Sequence, residues 1–293
     1  MRYFLDRSAR RLFPLLAGFP GFVVLLIAAG LFFRSRAIVL TRPLSKLLLS
    51  SAWLPSKGEF GFLPFIAGTM YVTVVAVILA LPVSLLAAAY LSECAPRRLR
   101  GLAATVIDVL AGLPSVIFGV WGVLVVVPAV GALAGLFGAA SSGYSVLAGA
   151  VVLAVMISPT VMHIILEVFS SIPASLREAS LALGATRWET TRRVVLRKAA
   201  PGIIAATVLG FSRAFGETIA VLMVVGNVAV IPRSPFDPGY PLPALIANNY
   251  GEMMSVPMYD AALMFAALIL LVVVIVSNVL ARRVLVRLER RAA

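Results

Sequence analysis

Six stretches of the chain are apolar over about the length that crosses a bilayer, roughly 20 helical residues for a hydrocarbon core about 30 Å thick. They fall at about 13–33, 63–92, 102–130, 144–167, 201–226 and 258–281. Inside lipid a backbone must satisfy its own hydrogen bonds, so each stretch is expected to be a helix. Composition agrees: 61% of the 293 residues are hydrophobic and 13% are charged, about half the charge of a soluble domain. The expected fold class is an all-α integral membrane protein with six transmembrane helices. The first stretch follows a basic start, "MRYFLDRSARR", as the core of a secretory leader does. It is too long for a typical leader core and lacks a clear small-x-small cleavage site, so it reads as a retained span.

The net charge of +13 first suggests nucleic acid, but the basic residues lie between and beyond the apolar runs rather than on one soluble domain, so no nucleic-acid partner is expected. With both termini cytoplasmic, the inner segments hold eighteen Lys and Arg, the outer segments six, and Arg213 alone lies within a span. That excess orients the chain by the positive-inside rule. The outer segment 34–62, with five basic residues, departs from the rule. Cys94 and His163 are the only residues of their types, too few for a disulfide framework or a zinc or haem site. No metal or cofactor is expected. The chain has no G-x-x-x-x-G-K-[ST] phosphate loop and so is not expected to hydrolyse ATP alone; with no His, Cys or paired-carboxylate constellation it is read as a non-enzyme with no catalytic residues.

Pro82, Pro114 and Pro159 interrupt three of the spans, and each removes a helix hydrogen bond and kinks the backbone. One such proline is ordinary packing; three suggest a bundle that bends around something. The outer segment 228–257 is proline-rich, and within it "PALIANNYGEM" is expected to form a short helix from Pro243, a favoured first-turn residue.

The most informative loop is "SIPASLREASLALGATRWETTRRVVLRKAAPG", Ser171 to Gly202. Ser175 with Glu178, and Thr186 with Glu189, fit the capping-box spacing. Gly184 stands between them, where a first short helix needs a left-handed cap. The spacing predicts two short helices with a turn at Gly184. A DNA-binding helix-turn-helix has a similar outline, but this unit is tethered to membrane spans at both ends. A solvated structural loop is the plain alternative. An exposed two-helix knob joined to membrane helices suits a site that receives force from a cytoplasmic partner.

Here the sequence resembles a known family. "EASLALG", Glu178 to Gly184, is similar to the EAA–x3–G signature of permease subunits in bacterial ABC importers. Glu178, Ala179 and Gly184 match it, Ser180 replaces the second alanine, and "LR" at 196–197 stands where the family usually has "LP". "RAFGETIAVLMVVGN", "AGLPSVIFGVWG" (111–122) and "LIANNYGE" (245–252) resemble the phosphate-specific branch, the PstC-type subunits. The likeness runs from roughly Phe65 to Leu280. It implies the type I ABC importer permease fold, with an N-terminal span and first periplasmic loop at 1–62, a permease core at 63–281 and a basic cytoplasmic tail at 282–293. It implies that the loop at about 171–202 docks through Glu178, Ala179 and Gly184 into a cytoplasmic ATPase. The implied partners are a homologous second permease subunit of PstA type, two copies of the ATP-binding subunit, an extracytoplasmic phosphate-binding protein and membrane lipid. The implied function is ATP-driven passage of inorganic phosphate across the bacterial cytoplasmic (inner) membrane. Alternatives are a permease for molybdate, sulfate, phosphonate or another oxyanion, or an ion-gradient-driven secondary transporter using Arg213, Glu217 and His163.

Two charges in "GFSRAFGETIAVLMVVGN" require a reason. A central arginine costs about 2.5–3.5 kcal/mol on insertion scales. An ion pair at about 4 Å with an effective dielectric near 20 returns about 4 kcal/mol. Desolvating the glutamate draws on that return, so pairing makes the charges tolerable rather than beneficial. Arginine four residues before glutamate is also the poorer helical order. Gly210, Ala214, Gly216 and Ala220 are small enough to let neighbouring helices approach. Two readings stand: an ion pair locking packed helices, or Arg213 and Glu217 facing an anion's route. A guanidinium binds tetrahedral oxyanions through paired donors. A carboxylate repels an anion, yet phosphate at neutral pH keeps a proton to donate to it and sulfate has none. Asp108 is placed at the inner mouth or in interfacial solvent, His163 and Glu167 share a helix face as a relay or as packing, and Cys94 sits in a short inner loop.

Overall fold

A computed structural model of the chain describes the backbone of residues 2–252 and 256–292. Six helices are long and apolar enough to cross a membrane: Gly18–Thr41, Leu63–Glu93, Ser115–Leu136, Val146–Ser171, Arg187–Gly216 and Tyr259–Leu280. The count agrees with the hydropathy pattern. The third and fifth spans are displaced from their expected positions, and both displacements bear on the candidate site.

Helix α1 (Arg2–Thr41) runs on past Arg34 and Arg36, which the sequence placed outside the span. It stops where Pro43 disfavours helix at the residue before it. Helix α2 (Leu44–Leu49) leads to an antiparallel pair, β1 (Trp53–Leu54) and β2 (Glu59–Phe60), with Trp53 opposite Phe60. Helix α3 (Leu63–Glu93) is the second span and contains Pro82. Helix α4 (Arg97–Gly112) follows, and then α5 (Ser115–Trp121) and α6 (Val127–Leu136), joined by a π-turn at Gly122–Val126, make the third span. The apolar run expected to cross from 102 is thus divided. Leu113 and Pro114 are extended, with ψ of 136° and 141°, because a proline pushes its predecessor out of the helical region. Pro114 is a break rather than a kink.

Helix α7 (Val146–Ser171) is the fourth span and contains Pro159. It leads through α8 (Ala174–Ala182) to α9 (Arg187–Thr190), a π-turn at Thr191–Val195 and α10 (Leu196–Gly216), which form one unbroken fifth span. Helices α11 (Ile219–Leu222), α12 (Leu242–Asn249) and α13 (Tyr259–Ala292) complete the chain. The short helix expected at Pro243 is α12, with Pro243 in its first turn. Residues 253–255 of the outer segment expected at 228–257 lie outside the described residues.

The closest packing is between α3 and α7. Ala76, Ala80 and Ala88 of α3 and Ala148, Ala150 and Ala154 of α7 are buried, small side chains that let backbones approach without a hydrophobic driving force. Ser84 Oγ donates to the Ser158 carbonyl at 3.2 Å across this seam. Helix α10 lies antiparallel against the same α7, with Gly210 buried against Val161. Of the four small residues expected to admit neighbours, Gly210, Ala214 and Ala220 are buried, whereas Gly216 is exposed. A Cβ at Gly216 would meet nothing within 4 Å.

At the end opposite α8, irregular chain satisfies the first amides of α7. The amides of Ser145, Val146 and Leu147 donate to the carbonyls of Val224 (3.2 Å), Asp237 (2.9 Å) and Pro235 (2.8 Å). Ser145 Oγ accepts from the Ala148 amide at 3.2 Å as N-cap. Non-helical backbone is tolerated here because its polar groups are spent on a helix start. Beside it, Trp53 packs edge-on against Phe60, Phe62 and Phe65, with the Phe65 ring centroid 4.8 Å away. This aromatic plug fixes α1, α3 and α13 together through Ile38, Phe65 and Phe265.

A Cβ added at Gly210 would lie 2.5 Å from Val161 Cγ2, on a β-branched side chain with little rotamer freedom. Gly210→Ala should therefore destabilise the solubilised protein by about 1–3 kcal/mol. Val161→Ala in the same chain should restore part of the loss, and Gly216→Ala should leave thermal unfolding where it was. Thermal denaturation followed by tryptophan fluorescence checks all three.

Candidate functional site

Two regions carry the unusual chemistry: the elbow around Gly184 and the break after Gly216. The elbow follows local sequence. Thr186 Oγ1 accepts from the Glu189 amide at 3.2 Å, and Glu189 Oε2 accepts from the Thr186 amide at 3.0 Å, a complete capping box that starts α9. Gly184 has φ +85°, the left-handed value that glycine takes at no steric cost, and its amide donates to Leu181 at 2.9 Å.

The second expected capping box does not form. Pro173 occupies the N-cap position with φ −56°, so Ser175 falls inside the first turn of α8 and caps nothing. The second short helix is also not separate: it is the first turn of the fifth span. Helix α8 buries no residue, and Leu181, Leu183 and Trp188 are 44%, 90% and 62% exposed around the turn. Glu178, Ala179 and Gly184 all lie on this uncovered elbow.

At the other end of the fifth span the helix stops inside the bilayer. Glu217 leaves helical geometry with φ −76° and ψ 125°. Arg213, expected twelve residues into a span beginning at 201, is instead in the last turn of a helix that began at Arg187. Its depth is nevertheless central. Arg213 Nη1 donates to Thr160 Oγ1 at 2.6 Å, and Thr160 is near the middle of the 26-residue α7. Among the described residues, Nε and Nη2 of Arg213 donate to no protein group.

Glu217 does not pair with Arg213. The ion pairs among the described residues are His163–Asp108 at 3.9 Å, Arg177–Glu93 at 2.9 Å and Arg193–Glu189 at 3.9 Å. Glu217 Oε1 accepts from the Ala220 amide at 3.4 Å, at the start of α11. The residue is half-buried and lines a crevice with Thr69, Thr73, Leu153 and Val221, about 10 Å³ in volume, no more than a single water fills. The reading of an ion pair locking two helices fails on this geometry, because the helix ends between its two members.

Arg213 is exposed in the isolated chain. A guanidinium at mid-depth does not face hydrocarbon, so this side of α7 and α10 looks onto protein or water. His163 is one turn along α7 from Thr160 and therefore on the same face. It meets Asp108 of α4 rather than Glu167, and both partners are more than 60% exposed. Glu167, a further turn on, is exposed too. Asp108 sits outside the spans, on α4. Cys94 is the exposed C-cap of α3. Thr160, the partner that fixes Arg213, escaped the sequence reading; its only signal is a hydroxyl directly after a mid-span proline.

Residues 80–293 match the family model described as "Binding-protein-dependent transport system inner membrane component". The chain belongs to this family. It is therefore a multi-pass inner-membrane permease subunit of the ABC transporter class, and its fold is that of type I ABC importer permeases. It is 41% identical over 227 residues to the "Probable ABC transporter permease protein YqgH" of Bacillus subtilis, covering 77% of this chain and 72% of that one. It is 37% identical over 257 residues to the "Phosphate transport system permease protein PstC" of Xylella fastidiosa, covering 83% and 79%. A solved bacterial ABC transporter involved in import of the acidic polysaccharide alginate superposes with a TM-score of 0.64 at 15% identity, over 98% of this chain and 99% of that chain.

The elbow of this permease is testable without a transport assay. Thr186→Ala removes the cap that starts the fifth span, at a cost of about 1 kcal/mol confined to the first turn. Amide exchange at Arg187–Thr190 should quicken about fivefold, while exchange in the middle of α10 should not change.

Proposed function

We propose that this chain is one of two membrane subunits of an ATP-driven importer that carries inorganic phosphate into the cell. The observation that carries the reading is Arg213, held at mid-depth by Thr160, its Nε and Nη2 donating to no group among the described residues, in a chain similar to permeases named for phosphate transport. A permanently charged fork at that place suits a tetrahedral oxyanion. Glu217 supplies discrimination. Its Oε1 is engaged by the Ala220 amide, and Oε2 accepts the proton that phosphate carries and sulfate lacks.

Energy arrives at the elbow. In this reading both termini are cytoplasmic, and the exposed α8–α9 turn, through Glu178, Ala179 and Gly184, docks on one of two copies of an ATP-binding subunit. The apolar, uncovered side chains of Leu181, Leu183 and Trp188 support a protein partner at that place. The 30-residue helix from Arg187 to Gly216 is about 45 Å long, and it connects the elbow to Arg213. Closure of the ATP-binding subunits tilts this rod and exposes the Arg213 face alternately to the two sides. The second wall of the route is a homologous permease subunit of PstA type, and a phosphate-binding protein delivers the solute from outside. The permease core spans 63–281, preceded by an N-terminal unit at 1–62 and followed by a basic tail at 282–293.

The reconstituted complex, with these partners and ATP, should take up phosphate in preference to sulfate and molybdate. Equal rates for the three, or none for phosphate, would overturn the assignment. Arg213→Gln should lower phosphate uptake about tenfold to a hundredfold, the worth of charge-assisted hydrogen bonds at about 1.5–3 kcal/mol. Arg213→Lys should fall between, keeping the charge and losing the fork. Glu217→Gln should slow phosphate and narrow its advantage over sulfate; phosphate uptake at the unaltered rate would remove Glu217 from the pathway.

A further inference from the structure

The ion pair between Arg177 and Glu93 ties the exposed helix α8 to the C-terminal ends of both α3 and α7. Arg177 is on α8, immediately before the signature residues Glu178 and Ala179. Its Nε and Nη2 donate to Glu93 Oε2 and Oε1 at 3.1 and 2.9 Å, a parallel two-point fork. The same guanidinium also caps α7: Nη1 donates to the Ile172 carbonyl at 2.8 Å and Nη2 to that of Phe169 at 2.9 Å. Those carbonyls belong to the final turn and C-cap of α7, where a cation complements both the unpaired acceptors and the negative end of the helix. Glu93 is the last residue of α3, and Ser92 Oγ donates to its Oε1 at 3.0 Å. The two side chains are only 22% and 12% exposed. A fork so nearly buried, with four of its five N–H groups donated to named acceptors, is far from the mobile surface pairs that contribute little.

What α8 lacks makes this contact matter. It buries no side chain of its own, so apolar packing does not carry its displacement inward. Besides the chain ends, its side-chain links among the described residues are Arg177 and a hydroxyl pair, Ser180 with Thr190 at 2.9 Å. The second link leads to the fifth span. The first leads to α3 and α7 together, the most closely packed pair in the bundle and tied again by Ser84 and Ser158. Thr160, which holds Arg213, is on that α7, nine residues from Phe169 and about 13 Å along the axis.

We propose that the Arg177–Glu93 fork is the joint that passes motion of the exposed helix 174–182 to the second and fourth spans, so that both sides of the Arg213–Thr160 contact move in one stroke. Arg177 and Glu93 are then positioning residues for coupling: they touch neither solute nor nucleotide. This rests on the reading of α8 as the site where an ATP-binding subunit docks. A static staple with the same geometry would affect assembly alone; a joint governs how much transport each ATP yields.

The test uses the whole reconstituted transporter and measures solute uptake and ATP hydrolysis on the same vesicles. Arg177→Ala and Glu93→Gln should lower uptake more than hydrolysis, so that solute carried per ATP falls about tenfold, within the range of a typical coupling free energy. Arg177→Lys, which keeps the charge without the fork, should lose less. The exchange Glu93→Arg with Arg177→Glu should recover part of the ratio, guarding against a single variant that merely assembles badly. Cys94, exposed and next to Glu93, gives a second readout that needs no solute. Its maleimide reactivity should differ between ATP-trapped and nucleotide-free complex, and Arg177→Ala should abolish that difference. A solute-to-ATP ratio and a Cys94 response both left as in the unaltered chain would overturn the proposal, as would uptake and hydrolysis falling in parallel with no recovery in the exchange. Failure of the phosphate assignment would appear separately, in the solute preference of the unaltered complex.

Discussion

A helix can end within a bilayer only where protein takes up the backbone groups it releases. That requirement governs the centre of this molecule. Helix α10 stops at Gly216, about halfway across, and α11 begins three residues later at Ile219. Arg213 lies in the last turn of the first helix, beside carbonyls with no intrahelical partner. Glu217 accepts an amide at the start of the second. Each charge complements the helix end beside it, positive at the carbonyl end and negative at the amide end. The two charges that looked like partners for one another are each matched to backbone.

This arrangement also explains how a costly arginine is kept available. A guanidinium consumed by a carboxylate would present little to an anion. Here the carboxylate has been drawn away by the break, and a neutral hydroxyl, Thr160, fixes the guanidinium at 2.6 Å. Gly210 brings α10 close enough to α7 for that contact to form. The seam of small residues between α3 and α7 holds the other side. Burial of Ala76, Ala80 and Ala150 is thus tied to the position of one nitrogen atom in the fifth span.

Six spans could be read from hydropathy because the bilayer imposes length and apolarity on every crossing. The elbow could be read because capping is local: Thr186, Glu189 and Gly184 lie within a few residues of one another. What was illegible was either a break or a distant contact. A hydropathy window averages over Pro114 and Glu217, so it fused α4 with the third span and carried the fifth past its end. Ser175 had the right spacing to Glu178, but Pro173 had already fixed the start of α8. Thr160 and Arg213 are 53 positions apart, and Glu93 and Arg177 are 84 apart; helical periodicity carries no information at such distances. The family signature located the elbow and gave no hint of the arginine that anchors it.

The exposed face of α7 and α10 has a consequence for the life of the chain before it works. Arg213 and His163 lie uncovered within spans of the isolated subunit. A newly inserted copy standing alone sets them against acyl chains, at about 2.5–3.5 kcal/mol for a centrally placed arginine. Whatever covers that face relieves the cost, so the same two residues mark a copy that stands alone. In the proposed assembly with a second permease subunit, a copy that lacks its partner keeps that cost, which ties the stability of the inserted chain to the supply of the partner.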